Sequence, residues 1–186
     1  LQIGAQNVPI YPTITLEDFE YILNHSECKY CFVSDKVLLD KITSIKNKLP
    51  HLITIFTFDT VELAHSWQEI FDLGADESNQ QEVEDLKNSI KKDDLATIIY
   101  TSGTTNRPKG VMLSHWNIIS NILNCQDRLP IAEGSTALSF LPVCHVFERM
   151  LTYLYQYDCL SIYFAESLDK ISDNLREVKP HIITVV

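Results

Sequence analysis

The sequence predicts an α/β chain of layered α/β subdomains with largely parallel sheets. Two observations carry that expectation. Apolar, strand-like runs alternate with helical stretches along the whole chain, and one helical stretch shows a clear stripe, Val37, Leu38, Ile42, Ile45 and Leu49. No internal repeat or low-complexity tract interrupts the alternation. Strands and helices in this order build parallel βαβ units whose faces are covered.

Thr15, with Asp18 three residues on, caps a helix through about Asn24, and 29–33 follows as a strand. Ser34 or Asp35 starts the striped helix, read as core packing, and 52–58 returns as a strand. A short helix at 66–73 stops at Gly74. The next stretch, ADESNQQEVEDLKNSIKKDD, offers little to a core and reads as a solvated connection with room for one exposed helix. Beyond it come a strand at 95–100, a helix at 115–127, a strand at 136–141 and a helix at 146–157. A strand at 161–164, a helix at 168–178 and a strand at 182–186 complete the order. The chain thus divides into a first α/β segment, 1–74, an acidic connecting segment, 75–94, and a motif-bearing segment, 95–186.

Hydrophobic residues make up 45% and charged residues 22%, the balance of a globular piece able to bury a core. No stretch approaches the roughly 20 apolar residues of a membrane span, and the amino end, with Asn7, Pro9 and Pro12, lacks a secretory pattern. A formal charge of −10 argues against broad attraction to nucleic acid or anionic lipid, so any anion is captured locally. Five cysteines form no framework, which points to a reducing, cytoplasmic compartment. Cys28 and Cys31 have redox or zinc spacing, with His25 nearby, but no second pair follows. On a strand they face opposite sides, and buried or incidental thiols are the favoured reading.

The run from Tyr100 to Gly110, YTSGTTNRPKG, alternates hydroxyls and glycine with one lysine directly after a strand. Glycine lets main-chain N–H groups approach an anion, hydroxyls add neutral donors, and Lys109 supplies a compact positive charge. Two readings stand on these residues alone: a phosphate grip, or an ordinary polar loop. A Walker A loop is disfavoured, because Pro108 precedes Lys109 and Gly110 follows it where a magnesium-binding hydroxyl belongs.

The stretch TIIYTSGTTNRPKGVMLSH, Thr97 to His115, resembles the phosphate-binding motif of the adenylate-forming, or AMP-binding, superfamily. LSFLPVCHVFER, Leu138 to Arg149, resembles the next motif, in wording closest to long-chain fatty-acid–CoA ligases. GAQNVPIYPT near the amino end, YILN at 21–24, SIYFAESL at 161–168 and VKP at 178–180 extend the likeness over essentially the whole chain. Asn106 departs from the pattern, which usually has glycine there; asparagine is among the few other residues that tolerate left-handed backbone.

The resemblance implies an ATP-dependent long-chain fatty-acid–CoA ligase that converts a fatty carboxylate to an acyl-adenylate and passes it to coenzyme A. It places Thr101, Ser102, Gly103, Thr104, Thr105 and Lys109 at the ATP phosphates, Thr101 also near magnesium, and His145 beside the acyl and carboxylate site. Gly110 is expected to serve the turn into the next element, Arg107 to be solvated, and Phe147 to wall the site or fill core. Glu148 and Arg149 read as structural, and His115 as helix initiation. Tyr153, Tyr155, Tyr157, Tyr163 and Phe164 are divided between an acyl tunnel and ordinary packing.

Starting at Leu1, the chain reads as an internal fragment of the family's amino-terminal portion, with no catalytic residue of its own and no complete reaction expected of it alone. The acidic metal partner, the adenine and ribose contacts and a late lysine are expected after Val186. Fatty acid, ATP and coenzyme A are the implied partners, without nucleic acid, and peripheral association with a membrane is compatible with them. Another carboxylate-adenylating enzyme and a non-catalytic nucleotide-binding module remain as alternatives. A purely structural domain leaves the two motifs together unexplained.

Overall fold

Thr15 opens the first helix, α1 (Leu16–His25): its hydroxyl accepts from the Asp18 N–H at 3.1 Å and donates to the Asp18 carboxylate at 2.7 Å. The computed structural model describes the chain apart from residues 102–106, 127, 129–131, 133 and 186. Its contacts form two units, one of Leu1–Lys91 with Ala96–Met112, the other of Lys92–Leu95 with Leu113–Val186.

In the first unit, β1 (Tyr30–Val33) leads into α2 (Lys36–Thr43), whose cap Asp35 accepts from the Leu38 N–H at 2.9 Å. That bond, with Ser34, holds the Asp35 carboxyl below its ordinary pKa. β2 (Thr54–Thr57) and β3 (His65–Ser66) complete a parallel sheet of order β1-β2-β3, with Tyr30 opposite Thr54 and Phe56 opposite His65. Phe19 and Leu23 of α1 pack with Val33, Ile42 and Ile55 over this sheet. The helical stripe outlasts its helix. α2 ends at Thr43, and Ile45 and Leu49 are buried from around a 3₁₀ turn, Lys46–Lys48. Pro50 disfavours helical backbone at Leu49, which sits at φ −115°, ψ 76°.

Ser66 and Glu69 form a reciprocal capping box that starts α3 (Trp67–Leu73). Within the acidic stretch, α4 (Gln80–Ser89) buries no residue, as its composition leads one to expect. Next come β4 (Leu95–Thr101) and β5 (Lys109–Ser114), paired in a two-stranded sheet. Asn7 bridges to Thr97 of β4, and its carbonyl accepts from the Ile98 N–H and the Thr97 hydroxyl. Neither β3 nor β5 is evident from the sequence.

In the second unit, Ser114 and Asn117 bond each other's backbone N–H groups and start α5 (His115–Gln126), so His115 initiates a helix as expected. The others are β6 (Thr136–Ser139), α6 (Val146–Tyr157), β7 (Ser161–Phe164), α7 (Ile171–Val178) and β8 (Ile182–Ile183). The sheet is parallel, of order β7-β6-β8, with Ala137 and Leu138 of the central strand fully buried. Ile122, Leu151, Leu154, Tyr155 and Leu160 complete its core with Ala137. Lys179 ends α7 in the left-handed region, φ 48°, just before Pro180. Among the described residues, no helix is long and apolar enough to cross a membrane.

Candidate nucleotide and acyl site

The described residues of the motif 97–115 lie mainly on β4 and β5. Buried Ala96, Thr97 and Ile99 fix β4 in the first unit, which leaves Thr101 as its last residue, exposed. Lys109, also exposed, opens the paired strand. Among the described residues its ammonium has no hydrogen-bond or ion-pair partner. Ser102, Gly103, Thr104, Thr105 and Asn106 lie outside the described residues.

Gly110 does not serve a turn. It sits inside β5, where an added Cβ would stand 2.9 Å from Ile98 Cγ2 and 3.2 Å from Tyr100 Cζ, so the strand pair needs a residue without a side chain there. Arg107, although exposed, has a partner: its guanidinium lies 5.3 Å from the centroid of the Tyr21 ring.

In the second unit His145 is the N-cap of α6, at φ −81°, ψ 135°. Its Nδ1 accepts from the Phe147 N–H at 3.3 Å, and the His145 backbone N–H donates to the Pro142 carbonyl at 2.9 Å. An Nδ1 that accepts must carry no proton, so the neutral ring bears its hydrogen on Nε2. The residue is exposed, and its Nε2 makes no hydrogen bond among the described residues.

Behind this cap, Glu148 is only 2% exposed and accepts from the Ser139 hydroxyl at the end of β6. Arg149 is buried too and donates to the Tyr153 hydroxyl at 3.1 Å. Phe147 stands at the surface rather than in the core. The aromatic group does not converge on one cavity wall. Tyr155 is core, bonded to Thr184 at 2.8 Å, whereas Tyr157, Tyr163 and Phe164 are about half exposed.

Among the described residues no cluster of metal-binding side chains occurs, and His25 beside Cys28 is engaged with Tyr100 instead. Burial raises the pKa of the Cys28 thiol and pushes Cys31 up to about 12. The thiolate is the reactive form, so in mildly alkaline solution Cys31 stays almost wholly the unreactive thiol. Exposed Cys159 is therefore expected to take up iodoacetamide well ahead of Cys31, read by peptide mass mapping over time. Equal rates would contradict a half-buried, protonated Cys31.

The family model for AMP-binding enzymes matches residues 1–186. The chain belongs to the AMP-binding enzyme family. Long chain acyl-CoA synthetase 4 of Arabidopsis thaliana is 29% identical over 98% of this chain and 29% of its own length. Long-chain-fatty-acid–CoA ligase 1 of Homo sapiens is 31% identical over 96% of this chain and 28% of its own. The chain therefore spans less than a third of these relatives' length.

A red-emitting luciferase from Phrixothrix hirtus superposes with a TM-score of 0.81 at 20% identity, over 98% of this chain and 36% of that one. A long-chain-fatty-acid–CoA ligase from Archaeoglobus fulgidus gives 0.73 at 22%, over 98% and 35%. At these identities the structures speak for the fold alone. It is the α/β fold of this AMP-binding family, with the parallel sheets expected from sequence.

Proposed function

We propose that this chain is the phosphate-gripping part of an ATP-dependent acyl-CoA synthetase that acts on long-chain fatty acids. The observation that carries the reading is that 98% and 96% of this chain match proteins named as a long chain acyl-CoA synthetase and a long-chain-fatty-acid–CoA ligase. A carboxylate oxygen attacks the α-phosphorus of ATP, the bond to pyrophosphate breaks, and an acyl-adenylate forms. The thiol of coenzyme A then attacks the acyl carbonyl, and AMP leaves.

The first step needs charge control, because negative charge accumulates on the departing pyrophosphate. Lys109, unpaired among the described residues, supplies it, together with Thr101, Ser102, Gly103, Thr104 and Thr105 as neutral donors. His145 offers its Nε2 hydrogen to an oxygen of the carboxylate or acyl-adenylate. The Thr101 hydroxyl suits magnesium as one hard oxygen donor, but the described residues supply no acidic set to hold the ion without ATP phosphates or further protein groups. Bound there, magnesium would share the phosphate charge. Our reading places the protein in the cytoplasm, where it meets its lipid substrate at a membrane surface.

Carboxylate-dependent ATP–pyrophosphate exchange by the full-length protein tests this, with fatty acids of graded length beside short and aromatic acids. Exchange is expected to favour long fatty acids. Preference for a short or aromatic acid would assign a different adenylating enzyme, and no exchange from folded protein would leave a non-catalytic nucleotide-binding module.

A further inference from the structure

Tyr21 and His25 have no part in the chemistry just described, yet they touch both borders of the segment 102–106. They lie at i and i+4 on one face of α1, ring centroids 5.3 Å apart. Before the segment, Tyr100 sets its hydroxyl 2.7 Å from His25 Nδ1. Its ring stands edge-on to Tyr21 and His25, centroids at 6.4 and 5.8 Å. After the segment, Arg107 lies over the Tyr21 ring, 5.3 Å from its centroid. The Tyr100 ring also closes over Gly110, directly beside Lys109. One helical turn of α1 therefore holds residues on both sides of the segment.

A cavity of about 920 Å³ adjoins the cluster, and its lining includes Glu17, Asp18 and Glu20 with Arg107. Those carboxylates repel a phosphate, so this is no second nucleotide pocket. The contribution open to the cluster is mechanical. Ends fixed before the ligand arrives remove part of the ordering cost from binding.

We propose that Tyr21 and His25 are positioning residues for ATP: they hold Arg107 and Tyr100, so that both ends of the phosphate-binding segment are set before ATP arrives. This rests on the adenylation reading above. Neither residue touches nucleotide in this proposal; each acts through its partner.

The test is ATP–pyrophosphate exchange by the full-length protein, with KM measured separately for ATP and for the carboxylate. The variants are Tyr21→Leu, Arg107→Gln and their double, and His25→Ala, Tyr100→Phe and theirs. Tyr21→Leu discriminates best, because it keeps apolar bulk and lies far from the segment in sequence. Each single variant is expected to raise the KM for ATP about threefold to tenfold. The kcat at saturating ATP and the carboxylate KM should stay within about twofold, with little change in thermal midpoint. Each double variant should do no more damage than its worse single.

Unaltered KM for ATP in folded variants of an active enzyme would overturn the proposal. So would a joint fall of kcat and thermal midpoint with a rise in both KM values, which marks a merely structural contact. Lack of exchange by the wild type is a different failure: it removes the adenylation reading, and the positioning role with it.

Discussion

Replacing Lys109 with alanine in the full-length protein is expected to lower carboxylate-dependent ATP–pyrophosphate exchange by about a hundredfold to a thousandfold, the range for losing one well-placed charge-stabilising donor. Lys109 is exposed at the start of β5 and, among the described residues, its ammonium is not neutralised by any carboxylate. The substitution therefore removes charge without orphaning a partner, and folding should be little affected. Its effect belongs to the step in which pyrophosphate departs. Transfer of a supplied acyl-adenylate to coenzyme A involves no pyrophosphate, so it should fall much less. Equal loss in both steps, with a lowered thermal midpoint, would mean that Lys109 supports the strand pair instead. Lys109→Arg should recover only part of the exchange, because a planar guanidinium does not place its charge where a compact ammonium does.

Sequence made α1, α6 and β7 legible because each carries a local signal: the Thr15 cap, a strongly amphipathic run, and the β-forming run Ile162, Tyr163 and Phe164. β5 escaped because Val111 and Met112 are both substantially exposed, which leaves no alternation to read. β3 is a two-residue strand, below any period. At the site, residue chemistry was legible and partnership was not. Nothing near Tyr100 in the chain announces His25, which lies 75 positions away, and nothing near Arg107 announces Tyr21. Gly110 read as a turn residue because glycine usually marks one; its actual constraint is Ile98 and the ring of Tyr100, visible only once β4 and β5 pair. Tyr155 and Tyr157 show the same limit: two positions apart, one is core and the other surface.

Glu148→Ala is expected to destabilise the second unit by about 2–4 kcal/mol, through lost packing and a stranded hydrogen-bonding group. Glu148 sits in the first turn of α6, where the helix dipole favours negative charge, and its carboxylate receives the hydroxyl of Ser139, itself only 3% exposed. Removing the carboxylate leaves that hydroxyl without its partner at the end of the central strand. Glu148→Gln keeps an acceptor of nearly the same shape and should retain most of the stability. The consequence for function follows from the connection this pair ties down. Ser139 ends β6, Glu148 lies in the first turn of α6, and Pro142 and His145 lie between them. The His145 tautomer depends on the cap at the start of α6, so loosening the tie disturbs the direction of its Nε2 hydrogen. In urea unfolding, with hydrogen exchange followed in β6 and α6, Glu148→Ala should lose protection there first and raise the KM for the carboxylate. A Glu148→Ala protein as stable as the wild type would show that the Ser139 contact does not hold β6 to α6.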